Sequence, residues 1–295
     1  MINIEMKEIS EDILNSFISI LTTLTGIVPR ASHRDGIKFF IQKKIQENHY
    51  TIDEYRRLLF TDKNLISEFV NECTINETYF FREEKQFALL KEKIFSQWRI
   101  KNPGKEIKIW SAACSYGEEA YSLAVMALTC GLNPKVMASD INSEVLEHCK
   151  SGVFLGTSLR SVDGLSFQNL VLPYRREDGR VAFPENIKSH VSTMQMNLAE
   201  LDSPLNLSLL PKNQNIIFIR NVFIYFTLEL RKKILNTIAE KCLADDGYLF
   251  VSMNEIAQLD SSVVPKSLEK KSDGSIYYFH KQVNAAGGKD HGSSL

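Results

Sequence analysis

Residues 107–124 read IKIWSAACSYGEEAYSLA, and this stretch decides the fold. The apolar run IKIWSAA predicts a short β-strand, and GEEAYSLAVMALTCG predicts a helix that ends at Gly131. Between them lies a turn of small residues around Gly117. A strand, a tight turn and a helix in this order are typical of the first unit of a doubly wound sheet, which binds nucleotides at that turn.

The same alternation continues along the chain. Further strands are predicted at KVMASD (135–140), NIIFIRNVF (215–223), GYLFVSM (247–253) and SIYYFHKQ (275–282), with helical patterns between most of them. We therefore predict an α/β fold with a doubly wound, mostly parallel sheet and helices on both faces. Residues 156–190 break the rhythm, because EDG between LVLPYR and RVAFP indicates a hairpin and hence a small antiparallel insertion.

The N-terminal part reads differently. Four segments of residues 1–72 have apolar residues at helical spacing, with Ser10, Gly26 and Thr51 as caps, so they predict a small all-α domain. We expect a linker at 73–103, the sheet domain at 104–283 and a disordered, glycine-rich tail at 284–295.

Composition excludes several classes of protein. Hydrophobic residues make up 44% and charged residues 24% of the 295, with a formal net charge of −1, as in ordinary globular proteins rather than general nucleic-acid binders. The N-terminus has no signal-peptide pattern, and no run approaches the roughly 20 apolar residues of a membrane helix. We expect a cytoplasmic protein. Five scattered cysteines without a CxxC pair indicate neither a zinc site nor disulfides.

The turn after the first strand indicates the ligand. It has one glycine, Gly117, where a pyrophosphate-binding turn needs three, so a nucleoside without phosphates fits better. Asp140 ends the second strand, where such folds place a carboxylate that accepts hydrogen bonds from a ribose. S-adenosylmethionine (SAM) is such a nucleoside. The alternative for Asp140 is a helix N-cap.

Two adjacent glutamates follow the turn. Ser115 and Glu118 have the S-x-x-E spacing of a capping box, which predicts that Glu118 caps the helix. Glu119 is then free to face the ligand and to hold an ammonium group.

The stretch TINETYFFRE (74–83) fits neither a strand nor a helix. It places Asn76, Thr78 and Arg82 beside aromatic rings, so polar groups that can bind a ligand adjoin rings that can wall it in. For Arg82 the alternative is a surface ion pair with Glu84 or Glu119.

Together these segments resemble the chemotaxis receptor glutamate methyltransferases, the CheR family. The resemblance rests on TINETYFFRE, WSAACSYGEEAYSLA (110–124), ASDINSEVLEHCKSGVF (138–154), MNLAE (196–200) and IFIRNVFIYF (217–226). It implies the Rossmann-like SAM-dependent methyltransferase fold and an enzyme that methylates glutamate side chains on the cytoplasmic helices of chemoreceptors. S-adenosylhomocysteine (SAH) would be the product. It also implies a monomer with no metal, no nucleic-acid partner and no membrane insertion.

Residue roles follow from the resemblance position by position. Arg82 and Tyr225 would be catalytic, and the basic residues of the second helix would dock the receptor: Arg34, Lys38, Lys43 and Lys44. The cofactor would be bound by Asn76, Thr78, Arg82, Glu119, Asp140, Asn197, Leu198, Arg220 and Asn221. The chain departs from the family turn GCSTGEEPYS at Ala113, Tyr116 and Ala120.

The chemistry needs no further catalytic group. A glutamate with an ordinary pKa near 4.3 is ionised at neutral pH and is already a nucleophile. Two alternatives stay open: a SAM- or SAH-binding regulatory module without turnover, and methylation of a small-molecule acid. For Tyr225 the alternative is a buried aromatic at the end of a strand, and for the basic helix it is an ordinary solvated face.

Overall fold

A twisted sheet forms the centre of the larger domain. The computed structural model of the protein describes residues 9–160 and 166–282. The strands in this part are β1 Glu106–Ala112, β2 Asn133–Asp140, β3 Val153–Phe154, β4 Val181–Ala182, β5 Val191–Gln195, β6 Gln214–Ile219, β7 Leu243–Phe250, β8 Leu268–Asp273 and β9 Ile276–Lys281.

Seven of these strands form one sheet in the order β5-β2-β1-β6-β7-β9-β8. The first five in that order are parallel, and β9 is antiparallel to both β7 and β8. Strand order reverses at β1, because β2 lies on one side of it and β6 on the other. The predicted α/β class with a mostly parallel sheet is confirmed, and the crevice expected at the reversal lies at the carboxyl end of β1.

Helices cover the sheet and build the N-terminal domain. They are α1 Glu11–Thr25, α2 Ala31–Glu47, α3 Ile52–Leu58, α4 Lys63–Cys73, α5 Glu84–Leu89, α6 Ser96–Lys101, α7 Glu118–Thr129, α8 Ser143–Ser151, α9 Glu185–Lys188, α10 Pro204–Leu209, α11 Leu228–Thr237 and α12 Met253–Ile256. The π-helical segment Leu90–Phe95 joins α5 to α6, so much of the predicted linker is helical.

The caps predicted in the N-terminal domain are present. Ser10 accepts a hydrogen bond from the Ile13 N–H, Thr51 forms a capping box with Glu54, and Gly26 ends α1 at φ 74°. Apolar residues of α1 to α4 form a separate core around Phe17. The N-terminal helices therefore bury their apolar faces against one another rather than against the sheet.

Strand β1 shows how the sheet is covered on both faces. Ile107 and Ile109 belong to one apolar cluster, and Trp110 and Ala112 belong to another. Successive side chains of a strand point to opposite faces, so the two clusters lie on opposite sides of the sheet.

The antiparallel insertion is present, but the predicted hairpin is reduced to one antiparallel bridge beside the EDG turn. Residues 172–174 form a 3-10 turn that includes Pro173, which cannot donate a ladder hydrogen bond. Strand β4 pairs instead with β3, which begins before residue 156, and a single bridge joins Arg175 to Val181. The EDG turn survives, with the Gly179 N–H donating to the Arg176 carbonyl at 3.0 Å.

Strand β8 was not predicted from the sequence, and the expected tail at 284–295 lies outside the described residues. None of the described helices combines the length and the apolar composition that crossing a membrane requires.

Candidate active site

A cleft opens at the carboxyl ends of β1, β2 and β6, where the strand order reverses. Its empty volume is about 1000 Å³, counting the open mouth. Ten sequence-predicted site residues line it: Asn76, Thr78, Arg82, Glu119, Asp140, Asn197, Leu198, Arg220, Asn221 and Tyr225. The fold therefore brings together residues from five separate segments of the chain.

The linker stretch lines the cleft with Ile75 and with polar residues, but not with Phe80 or Phe81. Phe80 and Phe81 are fully buried in the core of the sheet domain, where they pack edge-on against Phe154 and Phe87 with ring centroids 5.1 Å apart. These two rings do not wall the cleft, contrary to one expectation. They anchor the stretch, so that Asn76 and Thr78 are held at the cleft.

Arg82 makes neither of the ion pairs considered from the sequence. Its guanidinium donates to the Glu77 carbonyl at 2.8 Å and lies 5.8 Å from the centroid of the Tyr79 ring. The pairs with Glu84 or Glu119 are absent from the described contacts of Arg82. Arg82 is therefore a lining residue of the cleft that forms no ion pair with a described carboxylate.

The turn after β1 has an unusual backbone. Ala113, Ser115 and Gly117 all have positive φ, at 59°, 52° and 103°. A Cβ on Gly117 would lie 2.4 Å from the Cys149 sulfur, so glycine is required there both for conformation and for space. The other two positions hold L-residues in a left-handed conformation, which costs about 1–2 kcal/mol each.

The predicted capping box at Glu118 is wrong. The N-cap of α7 is Gly117, which makes no side-chain capping bond, so Glu118 is the first helical residue and cannot reach back as an N3 residue does. Glu118 is instead buried and accepts a hydrogen bond from the Ser158 hydroxyl at 2.7 Å. Burial raises the pKa of this carboxyl above its ordinary value.

Glu119 lines the cleft as expected, but its carboxylate is not free. It accepts hydrogen bonds from the Ser111 hydroxyl at 2.6 Å and from the Arg220 Nε at 2.7 Å. Arg220, only 5% exposed, also donates to the Arg82 carbonyl at 2.8 Å and to the Gln86 side chain at 3.0 Å. Arg220 thus ties β6 to α7 and to the linker.

Asp140 is not the helix cap. That role belongs to Asn142, whose side chain accepts from the N–H groups of Glu144 and Val145. Asp140 is 7% exposed and accepts from the Ser115 N–H at 2.8 Å and the Asn142 N–H at 3.0 Å. The carboxylate therefore fixes the turn after β1 while it lines the cleft.

Sequence reasoning missed one residue that shapes the end of β6. The Glu255 carboxylate is 1% exposed and accepts hydrogen bonds from the N–H groups of Asn221 and Ile224 at 2.7 and 3.2 Å. Asn221 has φ 59°, and this bond holds it there. The only sequence signal was the S-x-x-E spacing from Ser252, which does form a capping box.

The N-terminal domain contributes to the cleft, which sequence reasoning also missed. Thr25, Ile27 and Pro29, from the end of α1 and the loop after it, are lining residues. The Asn197 amide donates to the Leu24 carbonyl at 2.9 Å. No local pattern signals such a contact, because the partners lie far apart in sequence.

Tyr225 lies half-buried beside this loop. Its carbonyl accepts from the Val28 N–H at 2.8 Å, and its ring lies 6.1 Å from the His33 ring. Burial raises the pKa of the Tyr225 hydroxyl above its ordinary value, and the charges of Arg30 and Arg82 act in the opposite direction.

The predicted docking residues lie on α2, away from the lining of the cleft. Arg34 pairs with Glu11 at 2.8 Å, Lys44 with Glu68 at 2.6 Å and Lys43 with Glu47 at 3.9 Å. Arg34 and Lys38 are four residues apart on one face. Their role in docking stays a prediction.

The sequence of the cleft-bearing domain identifies its family. Residues 76–271 match the family described as the CheR methyltransferase SAM-binding domain. The chain belongs to the CheR methyltransferase family. The description of this CheR domain names SAM as its ligand, and the matched residues 76–271 include most of the cleft lining.

Named relatives agree with this CheR assignment. The chain is 34% identical over 201 residues to chemotaxis protein methyltransferase Cher2 of Pseudomonas putida, covering 65% of this chain and 70% of the relative. Chemotaxis protein methyltransferase 2 of Vibrio cholerae is 33% identical, covering 72% of this chain and 73% of the relative. Among solved structures, the Synechocystis magnesium protoporphyrin IX methyltransferase with bound SAM is 11% identical, covers 77% of this chain and 95% of that chain, and has a TM-score of 0.34.

The CheR cleft is lined by charged and polar side chains. Within residues 9–160 and 166–282, no group of three or more His, Cys, Asp or Glu side chains has a metal-binding arrangement. The lining instead combines two arginines, carboxylates, amides and a tyrosine. Such a cleft suits a polar nucleoside and an anionic acceptor.

Proposed function

We propose that this chain transfers the methyl group of SAM to glutamate side-chain carboxylates on the cytoplasmic helices of chemoreceptors and forms methyl esters. The observation that carries the proposal is the meeting of Arg82, Asp140 and Tyr225 in one cleft of a CheR domain. The relatives are named as chemotaxis protein methyltransferases, which supports the same class of substrate.

The lining residues fit SAM. Ser115 Oγ is buried at the cleft and has no hydrogen-bond partner within the described chain, so a polar atom there awaits a ligand. The small side chains of the turn leave room for close approach of a nucleoside. Asp140 would hold the ribose, and Asn197 and Leu198 would flank the adenine.

The amino-acid end would lie toward the linker and β6. Asn76, Thr78 and Asn221 would donate or accept hydrogen bonds there, and the paired Glu119 and Arg220 would contact the amino-acid group with opposite charges. When bound, SAM supplies a methyl group made electrophilic by a sulfonium centre.

The chain's own task toward the acceptor is to bind, orient and dehydrate it. The acceptor glutamate is ionised at neutral pH, so no general base is needed. Arg82 can hold the carboxylate with its planar guanidinium, which matches carboxylate geometry. Tyr225 would place its hydroxyl or ring beside the reacting atoms and help to exclude water.

The test is a methyl-transfer assay with tritium-labelled SAM and purified chemoreceptor cytoplasmic fragments. We expect label in the receptor that mild base releases as methanol, because esters are base-labile and N- or S-methyl groups are not. Label that resists base would contradict the proposal. SAM binding without transfer would favour a regulatory module, and transfer to free small acids alone would favour a small-molecule enzyme.

An Arg82→Ala variant sharpens this assay. We expect loss of receptor methylation with the fold intact, because Arg82 makes no ion pair among its described contacts. The exposed Arg99→Ala variant on α6 is the matched control, since Arg99 lies outside the cleft lining. Equal methylation by both variants would remove Arg82 from the mechanism.

A further inference from the structure

Arg30 lies beside the cleft, at the end of the loop that follows α1. It is the N-cap residue of α2, next to the lining residue Pro29. The Val28 N–H donates to the Tyr225 carbonyl, and the Arg30 guanidinium carbon lies 5.9 Å from the centroid of the Tyr225 ring. The loop thus fixes a cation from the N-terminal domain beside a cleft residue of the sheet domain.

The charge of Arg30 is uncommitted in the described structure. The residue is exposed, caps nothing with its side chain and forms no ion pair or hydrogen bond through its guanidinium with residues 9–160 or 166–282. Arg34, one turn further along α2, is by contrast bound to Glu11 and Asn15. A guanidinium held on a ring face and lacking an anionic partner is available to an anion.

A second arginine, Arg82, lines the same cleft as Tyr225. The charges of Arg30 and Arg82 both act on the Tyr225 hydroxyl. Arg30 comes from the α1–α2 loop and lies near the Tyr225 ring, and Arg82 comes from the linker and lines the same cleft. The Glu255 and Glu77 carboxylates act on the same hydroxyl in the opposite direction, but both guanidinium groups can donate hydrogen bonds to an incoming carboxylate.

We propose that Arg30 is an acceptor-positioning residue, which with Arg82 holds the side-chain carboxylate of the incoming glutamate beside Tyr225. This inference rests on the proposed function, because it assigns a role toward the same acceptor. It gives the N-terminal domain a direct contact with the reacting side chain. It also predicts discrimination against glutamine, which carries no charge.

A purely structural role for Arg30 has different consequences. If stacking on Tyr225 only holds the loop in place, its loss would loosen Pro29 and Ile27 and weaken SAM binding. An acceptor-positioning role leaves SAM binding intact and changes only the kinetics toward the receptor. The two roles therefore separate by measurement.

The experiment compares Arg30→Gln and Arg30→Lys with wild type and with Arg57→Gln, a control on α3, which lies outside the cleft lining. Each full-length protein is assayed for SAM affinity by calorimetry, for Tm, and for kcat and KM with a chemoreceptor cytoplasmic fragment. For Arg30→Gln we expect kcat/KM toward the receptor to fall about 10- to 100-fold, as for loss of one hydrogen bond to a charged group.

The remaining readouts decide the inference. We expect the SAM affinity and Tm of Arg30→Gln to stay near wild type, Arg30→Lys to recover part of the loss, and Arg57→Gln to behave as wild type. Unchanged receptor kinetics in Arg30→Gln, or a loss matched by weaker SAM binding, would overturn the inference while the proposed function stands. Absence of base-labile ester with the wild type would overturn the proposed function itself, and this inference with it.

Discussion

Arg220 and Glu119 form a buried ion pair at the cleft, with Arg220 Nε 2.7 Å from Glu119 Oε2. The two side chains are only 2% and 12% exposed. They join the residue that follows β6 to the first turn of α7. The pair therefore sets the relative position of two of the elements that carry the site.

Breaking this pair should destabilise the protein strongly. Glu119→Ala leaves the buried Arg220 charge with only the more distant Glu83 carboxylate, 3.8 Å away, and we expect the free energy of unfolding to fall by about 3 kcal/mol, the lower end for a broken buried pair. Urea denaturation measures this change. Glu147→Ala, in an exposed pair with Lys150 on α8, is the control and should cost about 0–1 kcal/mol. Equal effects of the two substitutions would contradict the structural role of the Arg220 pair.

Asp140→Asn should weaken SAM binding at least about tenfold, or 1.4 kcal/mol. Both Asp140 oxygens accept backbone N–H groups, so an amide nitrogen in place of one oxygen would face a donor and shift the turn. Calorimetric titration with SAM and SAH measures the affinity. The exposed Asp53→Asn variant should bind as wild type does, and wild-type affinity in Asp140→Asn would remove Asp140 from the cofactor site.

Ala113→Gly should keep or raise stability, although glycine usually destabilises. Relief of the strained φ of 59° should raise the free energy of unfolding by about 1–2 kcal/mol. The greater entropy of the unfolded glycine chain should lower it by about 0.4–1 kcal/mol. Thermal denaturation checks the sign. The same substitution at Ala127, inside α7, should lower Tm, because helical glycine costs about 1 kcal/mol and a buried methyl is lost. A clear loss of stability in Ala113→Gly would contradict this account.

Glu118 should make the protein less stable as pH rises. Burial raises its pKa in the folded state above the ordinary 4.5, so between those two values the folded protein binds more protons than the unfolded chain. The free energy of unfolding then falls as pH rises through this window. Urea denaturation at pH 5 and pH 8 measures this change. The free energy of unfolding should fall less between the two pH values for Glu118→Gln than for wild type. A pH dependence identical to that of wild type would show that Glu118 titrates normally.

The sequence predicted the elements whose patterns are strong and local. Strands β1, β2 and β6 are apolar runs because helices cover both faces, and α1 and α3 begin at side-chain caps. Strand β8 was not predicted because its sequence, LEKKSD, is charged rather than apolar. Charged residues are common in an edge strand, where they oppose pairing with other chains.

The sequence predicted which residues line the cleft, but not the hydrogen bonds that join them. Motif position placed Asp140 and Tyr225 at the cleft correctly. It could not reveal that Glu118 begins its helix, since that depends on the left-handed backbone of the turn. Nor could it reveal that Glu255 holds Asn221, because that bond spans 34 residues.

The hydrogen bonds between the α1–α2 loop region and the cleft limit how the helical domain can be exchanged. The Asn197 side-chain amide donates a hydrogen bond to the Leu24 carbonyl near the end of α1, and the Val28 N–H donates to the Tyr225 carbonyl. A chimera that exchanges the helical domain would also exchange Thr25, Ile27 and Pro29, which line the cleft. The graft should therefore retain residues 24–30 of the recipient, because both parts of the chain build the cleft.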